Sequence, residues 1–209
     1  MMRSVIGIDV GGARKGFHAV AMQGQSFVTF ASPELEKLSR WLQLMQPAAI
    51  AIDAPSSWAV EGGSRTCERM LRIGDERISC FSTPTEERAA GSSFYDWVRN
   101  GLTLYQALQA THSLYSGGEV KAPVVGETFP QAVACMLAGR KVSAKRKARV
   151  RREVLDESGY DVRGLHNIDL VDAALCALTA EALIQNRFVA FGRPEDGFIV
   201  TPAARGPQI

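Results

Sequence analysis

The sequence has 209 residues, of which 46% are hydrophobic and 22% are charged. This composition is typical of a globular protein with an apolar core. No apolar run reaches the roughly 18–20 residues that a membrane helix needs, and the segment MMRSVIGIDVGG lacks the pattern of a signal peptide. The four cysteines form no CxxC pair. The sequence therefore predicts neither a disulfide framework nor a zinc site, and it favours a cytoplasmic location without membrane attachment.

The first half of the chain predicts strands before helices. Apolar, β-branched segments indicate strands at 4–10, 16–22 and 26–31. Ser32 and Pro33 then predict the start of a helix whose apolar positions continue to Met45. A continuous apolar strand follows at 48–55. This order, three strands, a helix and a further strand, is typical of the opening half of a ribonuclease-H-like domain.

The second half of the chain begins with an irregular segment, residues 56–93, which we interpret as an insertion with a short helix at 64–73. Beyond it the patterns predict a helix at 94–115, a strand at 122–129, a helix at 131–139, a basic surface helix to about 158, a buried helix after Asn167 and a terminal hairpin. We therefore expect one α/β domain over 1–209. It has three antiparallel strands followed by parallel strands, flanking helices and a short C-terminal extension at about 187–209.

Five carboxylates stand at the ends of predicted buried elements. Asp9, Asp53 and Glu127 end strands, whereas Asp169 and Asp172 open the last helix and share one of its faces. Such ends converge at one edge of an open α/β sheet. Buried carboxylates repel one another, and a divalent cation with oxygen ligands, Mg²⁺ or Mn²⁺, removes that cost. Two such ions about 3.5–4 Å apart can activate water against a phosphodiester.

Each carboxylate also has an explanation without metal. Asp9 fits a turn, Asp53 fits strand-end punctuation, and Asp169 is favourable near a helix N-terminus through the macrodipole alone. Glu127 could pair with an arginine at the edge of the core. Asp172 lies beyond the first helical turn and is followed by apolar residues, so it requires a partner or a metal.

Several motifs taken together resemble domain-of-unknown-function family 429. They are GIDVGGARKGF, AIDAPSS with RTCERMLR, FSTP, GETFPQA and DLVDAALCALTAEAL. That family is described as predicted nucleases with a ribonuclease H fold, so the resemblance implies a metal-dependent nuclease. More distantly, the first strand and the last helix are similar to RuvC-type Holliday-junction resolvases. This similarity implies metal ligands at Asp9, Asp53, Asp169 and Asp172. The fourth-strand acid is Asp rather than the longer Glu of those enzymes, and Glu127 is the candidate for the missing oxygen.

The positive charge is concentrated in one strip. Residues 140–153 carry a local charge of +7 within a net charge of +2, which leaves about −5 on the rest of the chain. The strip could follow a phosphate backbone, or it could be a solvated helix face. It consists of Arg140, Lys141, Lys145, Arg146, Lys147, Arg149, Arg151 and Arg152.

The insertion offers further candidates for contact with nucleic acid. Arg65, Arg69 and Arg72 share one face if 64–73 is helical, and they could then grip an anion. The aromatic residues Phe81, Phe94, Tyr95 and Trp97 could stack on bases, although the helical surroundings of Trp97 favour burial.

Three functions remain open from the sequence. The first is a nuclease that hydrolyses DNA or RNA with metal held by Asp9, Asp53, Asp169 and Asp172, and with Glu127 as ligand or water-orienting base. The second is a non-catalytic module that binds nucleic acid or protein. The third is a phosphotransferase of the sugar-kinase and actin lineage, which GIDVGG also resembles, but a second such glycine turn is absent from the sequence. Resolvase-like folds often form pairs, so a homodimer is one open assembly state.

Overall fold

We describe residues 4–204 from a computed structural model of the protein. The strands of this range are β1 (Val5–Val10), β2 (Phe17–Gln23), β3 (Ser26–Ser32), β4 (Ala49–Asp53), β5 (Arg72–Ile73), β6 (Glu76–Arg77), β7 (Ser113–Leu114), β8 (Val124–Glu127), β9 (Phe188–Arg193) and β10 (Gly197–Pro202). Its helices are α1 (Leu35–Met45), α2 (Thr66–Met70), α3 (Glu86–Ala89), α4 (Asp96–Leu108), α5 (Pro130–Ala138), α6 (Lys147–Glu157) and α7 (Ile168–Ile184), with a 3₁₀ turn at Ser93–Tyr95.

The central sheet is mixed, as the sequence predicts. Its order is β3-β2-β1-β4-β8-β10-β9, with β7 also paired to β8. β1, β2 and β3 are antiparallel, and β4 and β8 then run parallel to β1. With helices on both faces, this arrangement confirms the ribonuclease-H-like α/β fold.

The two faces of β1 contact different helices, because successive strand residues point to opposite sides. Ile6 and Ile8 pack in one cluster with residues of α1 and α4. Gly7 and Asp9 have the other parity and face α7. A Cβ at Gly7 would lie 2.0 Å from the carbonyl oxygen of Ala173, so only glycine allows this close approach of helix and strand. This contact fixes the distance between α7 and the central sheet.

α7 forms as the sequence predicts. Its amide Leu170 N donates to the Asn167 side chain at 2.8 Å, which caps the helix at its first turn. Nearly all of its side chains are buried, which agrees with a sequence that is apolar all round the helix. α5 ends at Gly139, which adopts a left-handed conformation with φ 64°.

Two predicted helix boundaries are wrong. Ser32 does not cap a helix but ends β3, where it still pairs with Phe17, and α1 begins only at Leu35. The helix predicted at 94–115 ends at Leu108. The chain then turns so that β7 pairs with β8, and this pairing satisfies backbone groups that a longer helix would expose.

The inserted segment contains less helix than the sequence predicts. Only Thr66–Met70 is helical within 64–73, and β5 and β6 form a small separate hairpin after it. Arg65 therefore precedes the helix and Arg72 follows it, so the predicted common arginine face does not exist.

The terminal hairpin of β9 and β10 is present and joins the main sheet through the pairing of β10 with β8. Residues 205–209 of the predicted extension lie outside the described residues. Within 4–204, no helix combines the length and the apolar character that a membrane crossing requires.

Candidate metal centre

The register of three strands places Asp9 between two other possible ligands. Asp9 pairs with Asp53 across the parallel strands β1 and β4. On its other side it pairs with His18 across the antiparallel strands β1 and β2. Residues that face each other in a sheet point to the same side, so all three side chains lie on the face that α7 covers. The arrangement follows from hydrogen-bond register alone.

α7 supplies two more carboxylates above this row. Asp169 and Asp172 are three residues apart and therefore share a helical face. An oxygen of Asp172 lies within 4.8 Å of ligand atoms of Asp9 and Asp53. An oxygen of Asp169 lies within 4.8 Å of ligand atoms of Asp9 and His18. The structure thus brings together the four predicted aspartates in two groups that share Asp9.

Asp9 is a buried carboxylate at the centre of both groups. The residue is 6% exposed, and its buried Oδ2 has no hydrogen-bond partner among the described residues. Burial, followed by the charge of Asp172, raises the pKa of Asp9 from 3.8 to about 7. A buried carboxylate oxygen without a hydrogen bond costs free energy that a cation can remove.

Asp53 and Asp172 have similarly unfavourable surroundings. Burial, together with the charges of Asp9 and Asp172, raises the pKa of Asp53 well above its ordinary value. Burial also raises the pKa of Asp172, although Arg151 opposes this effect with a hydrogen bond to Asp172 Oδ1. Lys147 lies 3.8 Å from the other oxygen, Oδ2. The protein therefore balances part of the negative charge with its own cations.

Lys15 forms ion pairs with two of the carboxylates, Asp169 and Asp9. Its Nζ lies 2.5 Å from Asp169 Oδ1 and 3.8 Å from Asp9 Oδ2. Desolvation lowers the pKa of Lys15, but the hydrogen bond to Asp169 and the charge of Asp9 outweigh it, so that the net shift is upward. Lys15 belongs to the turn between β1 and β2, and about half of its side chain is exposed. Because Lys15 is half exposed on a turn, its ammonium group can move away from Asp9 and Asp169 when a divalent cation binds these carboxylates.

His18 is a further possible ligand that the sequence patterns did not indicate. Its buried Nδ1 has no hydrogen-bond partner among the described residues, and its Nε2 lies 3.9 Å from Asp169 Oδ2. Burial lowers the pKa of His18, and Asp169 opposes this only in part. The neutral imidazole is the form that binds metals. The alternation of β2 could have placed His18 on the inner face, but only with the register of the first hairpin in hand.

Glu127 has a different environment from the one predicted for a ligand. Arg65 Nη1 donates to its Oε2 at 2.8 Å, and Arg65 Nη2 donates to Oε1. The backbone and hydroxyl of Ser56 donate to the same Oε2 at 2.8 and 2.9 Å. Glu127 belongs to neither of the two ligand groups. It forms the buried pair with an arginine that the sequence left open as the alternative.

Arg65 is also explained by this pair, because a side chain that is 1% exposed cannot reach a nucleic acid. Arg69 remains exposed, although its guanidinium contacts Ser64 and Thr66. Arg69, unlike Arg65, is therefore accessible to solvent.

The residues of the basic strip have three different environments: one is buried, one is hydrogen-bonded to backbone carbonyls, and the others are exposed. Arg151 is 5% exposed and binds Asp172 and Gln131. Arg152 donates to the backbone carbonyls of Val162 and Leu165. The remaining predicted contacts are exposed on or just before α6: Lys145, Arg146, Lys147 and Arg149.

A family model described as "Protein of unknown function (DUF429)" matches residues 7–196. The chain belongs to this family. In this DUF429 member the matched range contains every residue of both ligand groups, from Asp9 to Asp172. No curated protein and no solved structure matches the chain.

Chemically, the DUF429 member presents a buried acidic group that could hold a metal ion. One group offers three carboxylates, Asp9, Asp53 and Asp172. The other offers two carboxylates and an imidazole, Asp9, Asp169 and His18. Oxygen-rich sets of this kind suit Mg²⁺ or Mn²⁺, and an imidazole adds preference for the transition metal.

Proposed function

We propose that the protein is a metal-dependent nuclease that hydrolyses phosphodiester bonds of nucleic acid. The observation that carries the proposal is Asp9, a buried carboxylate shared by two candidate ligand groups, whose Oδ2 has no hydrogen-bond partner among the described residues. Structural carboxylates usually have their oxygens satisfied. A carboxylate oxygen that accepts no hydrogen bond among three other acids and a histidine fits a residue positioned to bind cations.

The ligands of this proposal come from three strands and one helix. Asp9, Asp53 and Asp172 would hold one cation, and Asp9, His18 and Asp169 would hold a second. A divalent cation bound there lowers the pKa of water and neutralises charge that develops on a phosphodiester. Arg151 holds the carboxylate of Asp172 in position, because its guanidinium binds both Asp172 and Gln131 Oε1, the latter at 3.2 Å.

The cationic side chains of the site would serve the substrate once metal is bound. Lys15 and Lys147 are about half exposed and each lies 3.8 Å or less from a ligand carboxylate. Displaced from the acids, both ammonium groups are free to bind the oxygens of a phosphate. Arg151 stays buried and remains a positioning residue.

Exposed residues near Lys147 extend the positive charge away from the site. Lys145, Arg146 and Arg149 are exposed on the same segment, and Arg149 pairs with its helical neighbour Glu153. Surface ion pairs of this kind contribute little free energy and yield readily to a phosphate. We propose that these residues contact the backbone on one side of the cleaved bond without reading sequence.

One observation favours the second candidate, a non-catalytic binding module. Lys15, Lys147 and Arg151 already offset three of the four aspartate charges. In such a module these side chains would balance the acids permanently, and metal would not enter. The two functions therefore differ in whether a divalent cation displaces Lys15 and Lys147.

Calorimetric titration with Mn²⁺ separates them. For the nuclease we expect saturable binding to the wild-type protein and its loss in Asp9→Asn and in Asp172→Asn. Asp156→Asn, an exposed acid on α6, is the matched control and should bind Mn²⁺ like the wild type. Wild-type protein that binds no Mn²⁺ would instead support the non-catalytic module.

Cleavage assays then test the activity itself. Branched DNA, single-stranded DNA and single-stranded RNA are incubated with Mn²⁺ or Mg²⁺ at several salt concentrations. We expect cleavage of at least one substrate by the wild type and by Asp156→Asn, and none by Asp9→Asn. Tight metal binding without cleavage of any substrate would contradict the nuclease proposal.

A further inference from the structure

Two largely exposed phenylalanines line the cavity that contains the acids. The cavity measures about 740 Å³, and its lining includes Phe81, Phe94, Asp9 and Asp172. Phe81 is 68% exposed and Phe94 is 55% exposed. Their ring centroids lie 5.8 Å apart at 70°, an edge-to-face contact rather than a face-to-face stack. Exposed apolar surface beside a polar cavity commonly marks a binding site.

Phe94 stands on a fixed support. Its ring contacts Tyr95 with centroids 5.0 Å apart. Arg99 of α4 donates to the carbonyl oxygens of Ala89 at 2.7 Å and Ser92 at 3.0 Å, and thereby ties the segment before Phe94 to the helix. A ring held in this way loses little conformational entropy when a ligand stacks on it.

The loop of Phe81 is held by the buried charge network described above. Thr83 N donates to both carboxylate oxygens of Glu68, at 3.1 and 3.0 Å. Arg65 Nε donates to Glu68 Oε1 at 3.0 Å and links this carboxylate to Glu127 at the end of β8. Glu127 thus has a role for the cavity that does not involve metal, because it anchors the aromatic loop to the central sheet.

The cavity therefore combines three kinds of surface. Its lining includes the acids, the two lysines Lys15 and Lys147, and the aromatic residues Phe81, Phe94 and Trp97. A nucleotide has matching parts, since its phosphate suits cations and its base suits an aromatic face. A base inside a duplex has both faces covered by its neighbours and cannot offer one to a ring.

We infer that Phe81 and Phe94 form a stacking subsite for an unpaired base, and that the substrate is a single-stranded segment of nucleic acid. The inference rests on the proposed nuclease function and adds the substrate class to it. The base stacks on the exposed rings while its neighbouring phosphate lies at the acids and lysines. Duplex nucleic acid reaches the acids only after a nucleotide leaves the helix.

Equilibrium binding tests the subsite apart from cleavage. Fluorescence anisotropy, with Ca²⁺ in place of Mn²⁺, compares oligothymidylate with an abasic strand of equal length and charge. The wild type should bind oligothymidylate more tightly than the abasic strand or a duplex. The Phe81→Ala/Phe94→Ala variant should lose roughly 10–100-fold in affinity for oligothymidylate and little for the abasic strand, as expected for lost base stacking.

Two further variants guard against trivial effects. Phe81→Tyr/Phe94→Tyr keeps both aromatic faces and should retain the wild-type affinity. Leu44→Ala removes a side chain that is 83% exposed on α1, outside the cavity lining, and should change nothing.

The outcomes separate this inference from the proposed function. Mn²⁺ binding and cleavage that persist while the wild type binds oligothymidylate and the abasic strand equally would overturn the stacking subsite alone. An alanine variant that keeps full affinity for oligothymidylate would do the same and would leave the rings as a surface for a protein partner. A wild-type protein that binds no Mn²⁺ would instead contradict the proposed nuclease function.

Discussion

Asp9 and Asp53 face each other in register on the neighbouring parallel strands β1 and β4. Their backbones are held at the spacing of a sheet, so the two Cα atoms cannot move apart without breaking strand pairing. Asp172 approaches the same pair from α7. The fold therefore enforces a repulsion between like charges that a bound cation relieves.

Replacement of Asp9 tests this repulsion directly. Since the pKa of Asp9 rises from 3.8 to about 7 on folding, the folded state binds its proton more tightly, and stability falls as pH rises through this window. Asp9→Asn removes the charge and should raise the free energy of unfolding at pH 8 without metal by at most about 4 kcal/mol. Urea denaturation at pH 4 and pH 8 measures the effect, with Asp156→Asn as control. An Asp9→Asn variant no more stable than the wild type at pH 8 would contradict the buried charge.

Metal affinity should depend on pH for the same reason. A proton on Asp9 competes with the cation, so Mn²⁺ affinity should rise by about tenfold per pH unit at most below pH 7 and should level off above it. Calorimetric titrations between pH 5.5 and 8.5 give the profile. An affinity that does not change over this range would show that no proton leaves a ligand when Mn²⁺ binds.

His18 should select between metals. Imidazole suits Mn²⁺ better than Mg²⁺, and His18 lies beside Asp9 and Asp169. We expect His18→Asn to weaken Mn²⁺ binding on the order of tenfold and to change Mg²⁺ binding less. His166→Asn alters an exposed histidine and serves as the control. If His18→Asn weakens the binding of Mn²⁺ and Mg²⁺ equally, His18 does not act as a ligand.

Glu127→Gln distinguishes an anchoring role from a ligand role. The change leaves Arg65 buried without its charged partner, so we expect a loss of about 3–5 kcal/mol in stability. Mn²⁺ affinity of the folded protein should stay as it is, because Glu127 lies outside both ligand groups. Thermal unfolding and calorimetry on the same sample report both quantities. If Glu127→Gln kept the stability of the wild type but no longer bound Mn²⁺, the result would show that Glu127 acts as a metal ligand.

Gly7→Ala tests how α7 is positioned. The added Cβ would lie 2.0 Å from Ala173 O and 2.1 Å from Ala177 N, both backbone atoms that cannot yield alone. We expect a loss of about 1–3 kcal/mol or more in stability, as for other overpacked sites. The displaced helix should also weaken Mn²⁺ binding, because it carries Asp169 and Asp172. Gly164→Ala meets nothing within 4 Å and should have little effect on either.

The sequence by itself determined the main strands and helices and which acids stand at their ends. Continuous apolar strands, the Asn167 cap and the apolar surface of α7 are local signals that depend on neighbouring residues. They placed Asp9 and Asp53 at strand ends and Asp169 and Asp172 on one helical face. Boundaries such as the end of α4 at Leu108 followed instead from pairing with a distant strand, and local patterns do not contain that information.

Only the tertiary structure decided which side chains meet. The register of β1 with β2 brought His18 beside Asp9, and Glu127 was found paired with Arg65. Arg151 stood in the sequence among seven other basic residues, yet it alone is buried against Asp172. Charge and hydrogen bonding act through space at short range, so the partner of a polar residue depends on how distant segments pack and not on the residues beside it in the chain.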